Sequence, residues 1–124
     1  MKAKVLFADD SPSVRLIIKG ILQSRDFDLI ECEDGQVAID YLRDHTVDLI
    51  ITDLFMPNAD GFDVIAATRA TASVNRFIPI VMVTTEGQAE RKREGRKAGA
   101  TAWIVKPFDA QLLLKVVDKC LKIK

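Results

Sequence analysis

The sequence predicts a three-layer α/β/α sandwich, in which a sheet of five parallel strands alternates along the chain with five helices. Three observations carry that prediction. Short apolar runs recur at intervals through the 124 residues. The stretches between them repeat their apolar residues at helical spacing, as βα units do. Several of the runs are apolar at consecutive positions, which suits parallel strands covered on both faces.

The first strand is Val5-Leu6-Phe7-Ala8, and Val14, Ile17, Ile18 and Ile21 after it form one helical stripe. Ser11 is placed to cap that helix, and Pro12 to occupy its first position, where a missing amide hydrogen does no harm. Leu29-Ile30 is the second strand; Asp34 then caps a helix carrying Val37, Ile39, Tyr41 and Leu42. Leu49-Ile50-Ile51 is the third, and Asp60-Gly61 opens a helix with Val64 and Ile65. The fourth strand is Ile80-Val81-Met82-Val83. The segment after it, Gln88 to Ala98, offers a core little beyond Ala89, Gly95 and Ala98, so it is expected to be the loosest helix. Its Arg91, Lys92, Arg93, Arg96 and Lys97 stand against Glu90 and Glu94. That charge run is either a solvated face or a surface for an acidic or amphipathic protein. Trp103-Ile104-Val105 is the fifth strand. Asp109 opens the last helix, whose Leu112, Leu113, Val116, Val117, Cys120 and Leu121 give it a wide apolar face.

Short connections and the absence of an internal repeat imply one domain over residues 1–124, with no effector domain. A content of 48% hydrophobic and 29% charged residues excludes a disordered chain. Lys and Arg number 18, as do Asp and Glu, so the basic excess of a protein that neutralises nucleic-acid phosphates is missing. No apolar run approaches the roughly 18 residues that a bilayer demands, and Met1-Lys2-Ala3-Lys4 leads straight into a strand, so a cytoplasmic protein is expected. Cys32 and Cys120 lack metal-ligand spacing and are read as reduced core thiols. The single His45 is read as a surface residue.

In a parallel sheet the functional edge is the carboxyl end of the strands. There the sequence places Asp9-Asp10, Thr52-Asp53, Thr84-Thr85 and Lys106-Pro107. Two carboxylates about 4 Å apart repel by roughly 4 kcal/mol at an effective dielectric near 20, so three together need cations. Lys106 supplies one charge, leaving a formal minus two that a divalent ion would balance. Oxygen ligands alone point to Mg²⁺. A carboxylate beside such an ion is a candidate phosphoryl acceptor, and Asp53 is that candidate because strand one can flank it with metal ligands.

With those motifs in place, the sequence resembles the receiver domains of two-component response regulators, and among them the stand-alone chemotaxis members. The carriers are "FADDSPSVR", "DLIITDLFMPNADGFDVI", "IPIVMVTTEG" and "AGATAWIVKPF", spread over essentially the whole chain. The resemblance implies a flavodoxin-like fold and phosphorylation of Asp53 by a histidine kinase, here a chemotaxis-type (CheA-like) one. It implies that Asp10 binds Mg²⁺ directly and Asp9 mainly through water, with Asp53 and the backbone carbonyl of Phe55 completing the ligands. By the same resemblance Thr84 and Lys106 are expected to hold the phosphoryl oxygens, and a cis Lys106–Pro107 peptide to aim the lysine inward. Trp103 occupies the place of the family's switch aromatic, and the resemblance implies that its movement would remodel the surface of the fourth helix, fifth strand and fifth helix. Phe55 and Glu86 occupy the positions that tune phosphoryl lifetime. Three positions depart from the best-known chemotaxis members: Trp103 stands where Tyr is common, Thr85 where Ala is, and Phe55 where polar side chains also occur.

The function expected is a phosphorylation-controlled binding switch, a monomer without membrane insertion or a nucleic-acid partner, whose output partner is a flagellar motor switch protein. A single-domain phosphorelay intermediate or phosphate sink is the alternative. An aspartate-nucleophile phosphatase is disfavoured because Phe55 stands where such enzymes carry a second Asp, so no conventional enzyme is expected. A flavin or nucleotide carrier lacks a glycine-rich phosphate loop after strand one, where paired aspartates would repel phosphate.

Overall fold

The computed structural model describes residues 2–123, and in it the strands and helices alternate without exception. Strands β1 (Lys4–Ala8), β2 (Asp28–Cys32), β3 (Leu49–Thr52), β4 (Ile80–Thr84) and β5 (Ala102–Val105) form one parallel sheet in the order β2-β1-β3-β4-β5. The helices are α1 (Pro12–Leu22), α2 (Gly35–Asp44), α3 (Gly61–Arg69), α4 (Ala89–Ala98) and α5 (Ala110–Leu121). The fold is the flavodoxin-like one. Among the described residues no helix is long and apolar enough to cross a membrane.

The side-chain alternation of β1 explains the layers. Val5 and Phe7 join Leu49, Ile51, Val81 and Val83 in a core closed by Ile18 and Leu22 of α1 and Leu113 and Val117 of α5. Leu6 and Ala8 face the other way, into a core with Ile50, Ile80 and Met82 that α2 and α3 cover through Ala38, Leu42, Val64 and Ile65. Both faces are therefore apolar, and the central runs have no room for polar residues.

Helix starts follow the sequence closely because caps are local. Ser11, Asp34, Asp60 and Asp109 each cap their helix by accepting a backbone amide, and Asp60 with Asp63 completes a capping box.

Helix phase is less local, and here the structure corrects the sequence. Ile17 is 56% exposed and Val37 39%, while Leu22 and Ala38 take the buried positions. The buried pairs Ile18/Leu22 and Ala38/Leu42 are one turn apart, so each helix is rotated slightly from the stripe with the most apolar residues. On α5, Leu112 is exposed and Cys120 only half-buried. Both cysteines are free thiols, and burial, then the charges of Asp34 and Glu31, push Cys32 up to about 12.

On α4 the correction is larger. Ala89 and Ala98 are exposed, and Gly95 is the buried residue of the helix. It packs on Trp103, where an added Cβ would come within 2.5 Å of the indole ring. The far end of α4 is tied down at Gly99, whose carbonyl accepts from Arg69 Nη2 at 2.8 Å.

Candidate functional site

Register brings the carboxylates together. Ala8 pairs with Thr52, so the next residues on β1 and β3, Asp9 and Asp53, leave the sheet side by side at its centre. The Asp53 amide donates to the Ala8 carbonyl at 2.9 Å and extends the ladder one step further. Carboxylate oxygens of Asp9, Asp10 and Asp53 all lie within 4.8 Å of one another. Asp9 and Asp53 are buried and Asp10 is exposed, so the trio runs from the sheet to solvent.

Lys106 reaches this cluster from the end of β5, with its amide donating to the Thr84 carbonyl at 2.8 Å. The Lys106–Pro107 peptide is cis. Its Nζ donates to Asp9 Oδ2 at 2.7 Å and to Asp53 Oδ2 at 3.2 Å. The second oxygens are also used: Asp9 Oδ1 accepts from the Ser11 amide at 2.9 Å, and Asp53 Oδ1 from the Leu54 amide at 2.7 Å.

The electrostatics match the geometry. Burial raises the pKa of Asp9 above the ordinary aspartate value, outweighing the hydrogen bonds from Lys106 and the Ser11 amide that pull it down. Burial acts to lower Lys106, but its bond to Asp9 and the charges of Asp53 and Asp9 more than compensate, so its pKa is raised. One ammonium serves two buried carboxylates, and the third has no lysine or arginine within salt-bridge range among the described residues.

The other residues singled out in sequence lie on β4, on β5 and on the loops that follow β3 and β4. Thr84 is buried and does not bond Asp53; its Oγ1 accepts from the Glu86 amide at 3.3 Å. Trp103 is half-buried, and its Nε1 donates to the Glu86 carbonyl at 2.8 Å. A path of hydrogen bonds thus runs from the Thr84 hydroxyl, through the loop after β4, to the indole that packs under Gly95 of α4. The Glu86 carboxylate turns toward α4, accepting from the Gln88 amide at 3.2 Å and lying 3.6 Å from Arg91. Arg91 also lies over the Phe62 ring of α3, 5.4 Å from its centroid. The Phe55 side chain is 50% exposed, on the loop that follows Asp53.

Two features escaped the sequence reading. Arg15 reaches back from α1, donating from Nη1 to the Asp9 carbonyl at 2.6 Å and from Nε to Glu31 of β2 at 2.8 Å. It therefore fixes the backbone that presents both aspartates. The signal was available, since helical side chains lean toward the N-terminus and Arg15 stands one turn past the Ser11 cap. The second is Asn58, whose Nδ2 donates to Asp34 Oδ2 at 2.8 Å across a gap of 24 residues. No local pattern announces that contact.

The donor set suits one kind of ion. Three carboxylates and a lysine leave a formal minus two, all the ligating atoms are oxygens, and such a set fits a hard divalent cation.

Comparison with known proteins agrees with this geometry. The sequence profile of the response regulator receiver domain matches residues 5–118. The chemotaxis protein CheY of Pseudomonas aeruginosa is 35% identical over 117 residues, covering 94% of each chain. Among solved structures, the chemotaxis response regulator CheY4 of Vibrio cholerae superposes with a TM-score of 0.89 at 39% identity, covering 98% of this chain and all of that one. The receiver domain of a Pseudomonas aeruginosa sensor histidine kinase, solved with magnesium coordinated in its active-site cleft, shares the fold. Its TM-score is 0.88 at 22% identity, over 98% of this chain and 99% of that one.

Proposed function

This chain belongs to the response regulator receiver domain family, and from that premise we propose that it is a chemotaxis-type switch phosphorylated on Asp53 by a histidine kinase. The observation that carries the reading is the Asp9, Asp10 and Asp53 cluster with Lys106 bonded across two of its members.

Asp10, Asp53 and the Phe55 carbonyl would hold Mg²⁺, with Asp9 acting through water. When bound, the ion supplies positive charge to the phosphoryl oxygens and relieves the repulsion among the carboxylates. The protein's own residues do the rest. Asp53 presents Oδ2 toward Lys106 and keeps Oδ1 on the Leu54 amide, so its orientation is set before any donor arrives. Lys106 gives the phosphoryl group a fixed ammonium once it exchanges carboxylate for phosphoryl oxygen. Thr84 retains its hydroxyl proton for the same purpose, because the Glu86 amide uses only a lone pair.

Drawing Thr84 toward a phosphoryl oxygen pulls on the Glu86 amide, and the Glu86 carbonyl carries that movement to Trp103. Trp103 moves against Gly95, on a helix with little else in the core. Phosphorylation thereby shifts a population of α4–β5–α5 surfaces, and a flagellar motor switch protein is the partner of that surface. The basic face of α4 supports a protein partner with acidic character. Chemistry at Asp53 is self-directed, gaining and losing one phosphoryl group in the cytoplasm without turning over a substrate.

Intact-mass measurement after acetyl phosphate and Mg²⁺ tests the first step. One phosphoryl group should appear, map to Asp53, and vanish in Asp53→Asn, whose fold should persist; undiminished labelling of that variant would remove Asp53 as acceptor. Phosphotransfer from a chemotaxis kinase with phosphorylation-dependent capture of motor switch protein supports the output. Transfer onward to a histidine phosphotransfer domain without such capture assigns a relay instead.

A further inference from the structure

The loop between β3 and α3 carries the Phe55 carbonyl, and its own strand and helix anchor only its ends. At the stem the Gly61 amide donates to the Leu54 carbonyl at 2.8 Å, and the Asp60–Asp63 capping box fixes the entry to α3. Between them Phe55 is half in solvent and Met56 packs partly into the core. Asn58 takes the left-handed conformation at φ 71°, which Asn tolerates better than most residues.

The tip is held from outside. Asn58 Nδ2 donates to Asp34 Oδ2 at 2.8 Å, while Asp34 Oδ1 accepts from the Val37 amide at 2.9 Å as the cap of α2. The two elements touch so closely that a Cβ on Gly35 would collide with the Ala59 carbonyl. Asp34 is buried although it is neither in the core nor in the carboxylate cluster. One carboxylate thus does two jobs with two oxygens.

We propose that Asp34 is a positioning residue for the metal site: through Asn58 it fixes the tip of the β3–α3 loop, and with it the Phe55 carbonyl that completes the ligand set. The proposal rests on the Mg²⁺ site proposed above. Mg²⁺ demands near-ideal octahedral geometry, so a carbonyl on a drifting loop is a poor ligand. The N-terminus of α2, remote from Asp53 in sequence, thereby sets how well the site takes the ion.

The two jobs can be separated. Asp34→Ser keeps a capping oxygen of nearly equal quality for the Val37 amide but has no second oxygen to accept from Asn58, which breaks the tether. Asn58→Gly removes the tether while keeping ease at positive φ. Combining Asp34→Asn with Asn58→Asp reverses the polarity, so Asn at 34 donates to Asp at 58 and the summed charge matches the parent.

The measurements are the Mg²⁺ dissociation constant by calorimetry, urea stability, and hydrogen exchange of the Ala59 amide, which donates to the Pro57 carbonyl within the loop. Each single variant should weaken Mg²⁺ on the order of tenfold, the low end for residues that brace metal ligands from behind, and speed exchange at Ala59. The double variant should recover both. Singles that bind Mg²⁺ as the parent does, or a double as weak as the singles, would overturn the proposal. A parent that takes up no Mg²⁺ overturns the reading of the site instead. Unchanged Ala59 exchange in Asp34→Ser then overturns the tether too.

Discussion

Asp34 and Asp9 are both buried aspartates, yet their environments push them in opposite directions. The Val37 amide first, and the Asn58 side chain second, hold Asp34 below the ordinary aspartate pKa of 3.8. A carboxylate with a lowered folded-state pKa gives stability that is present above 3.8 and lost as pH falls through the lowered value. Asp9, raised mainly by burial, has the reverse sign: it costs stability as it ionises, in the window above 3.8. Replacing Asp34 by Asn should therefore flatten the acid limb of a urea stability curve below about pH 4, and leave the neutral plateau lower by no more than about 1 kcal/mol. A variant whose acid limb keeps the parental slope would show that this carboxylate does not gain its partners on folding.

Among the elements, α4 and α5 carry the contrast that matters. Both are exposed on one side, but α5 buries Leu113 and Val117, whereas α4 buries Gly95 alone. A helix held by so little apolar area is stabilised mainly at its ends, here by the Arg69 bonds to Gly99 and the Arg91 contacts with Glu86 and Phe62. Gly95 is glycine because Trp103 occupies the space a side chain would need. In Gly95→Ala, the gain of about 0.5–1 kcal/mol in helix propensity competes with about 1–3 kcal/mol for overpacking. Net destabilisation of about 1 kcal/mol should accompany a shift in Trp103 emission. Emission identical to the parent's would mean the indole is not confined by α4, and the proposed route from Thr84 to the α4–β5–α5 surface would lose its last step.

For the whole molecule, the sheet order makes the site. Strands β1 and β3 are adjacent at the point where the chain reverses its direction of travel across the sheet, and the crevice there collects what each strand carries at its carboxyl end. The charge it collects is unbalanced, so an ion that binds the folded state alone should stabilise the entire domain. Mg²⁺ at a hundred times its dissociation constant is expected to add about 2.7 kcal/mol to unfolding without altering the urea m-value. Asp10→Asn, at an exposed position, should remove that gain and little else. Equal stabilisation of the variant and the parent would place the ion elsewhere.

Strand cores, helix caps and the rim on which each polar residue falls were all determined by the sequence alone. The energies that decide them act within a turn or a strand: a cap bonds an amide two or three residues on, and alternation places side chains on opposite faces of the sheet. Tertiary structure decided the rest. It turned Ile17 outward and Leu22 inward, left Ala89 and Ala98 in solvent, and chose Asp9 for Lys106 across 97 residues and Asp34 for Asn58 across 24. Those choices depend on how packed layers close against one another, because burial and charge pairing reward proximity in space, which a one-dimensional pattern encodes only through the finished fold.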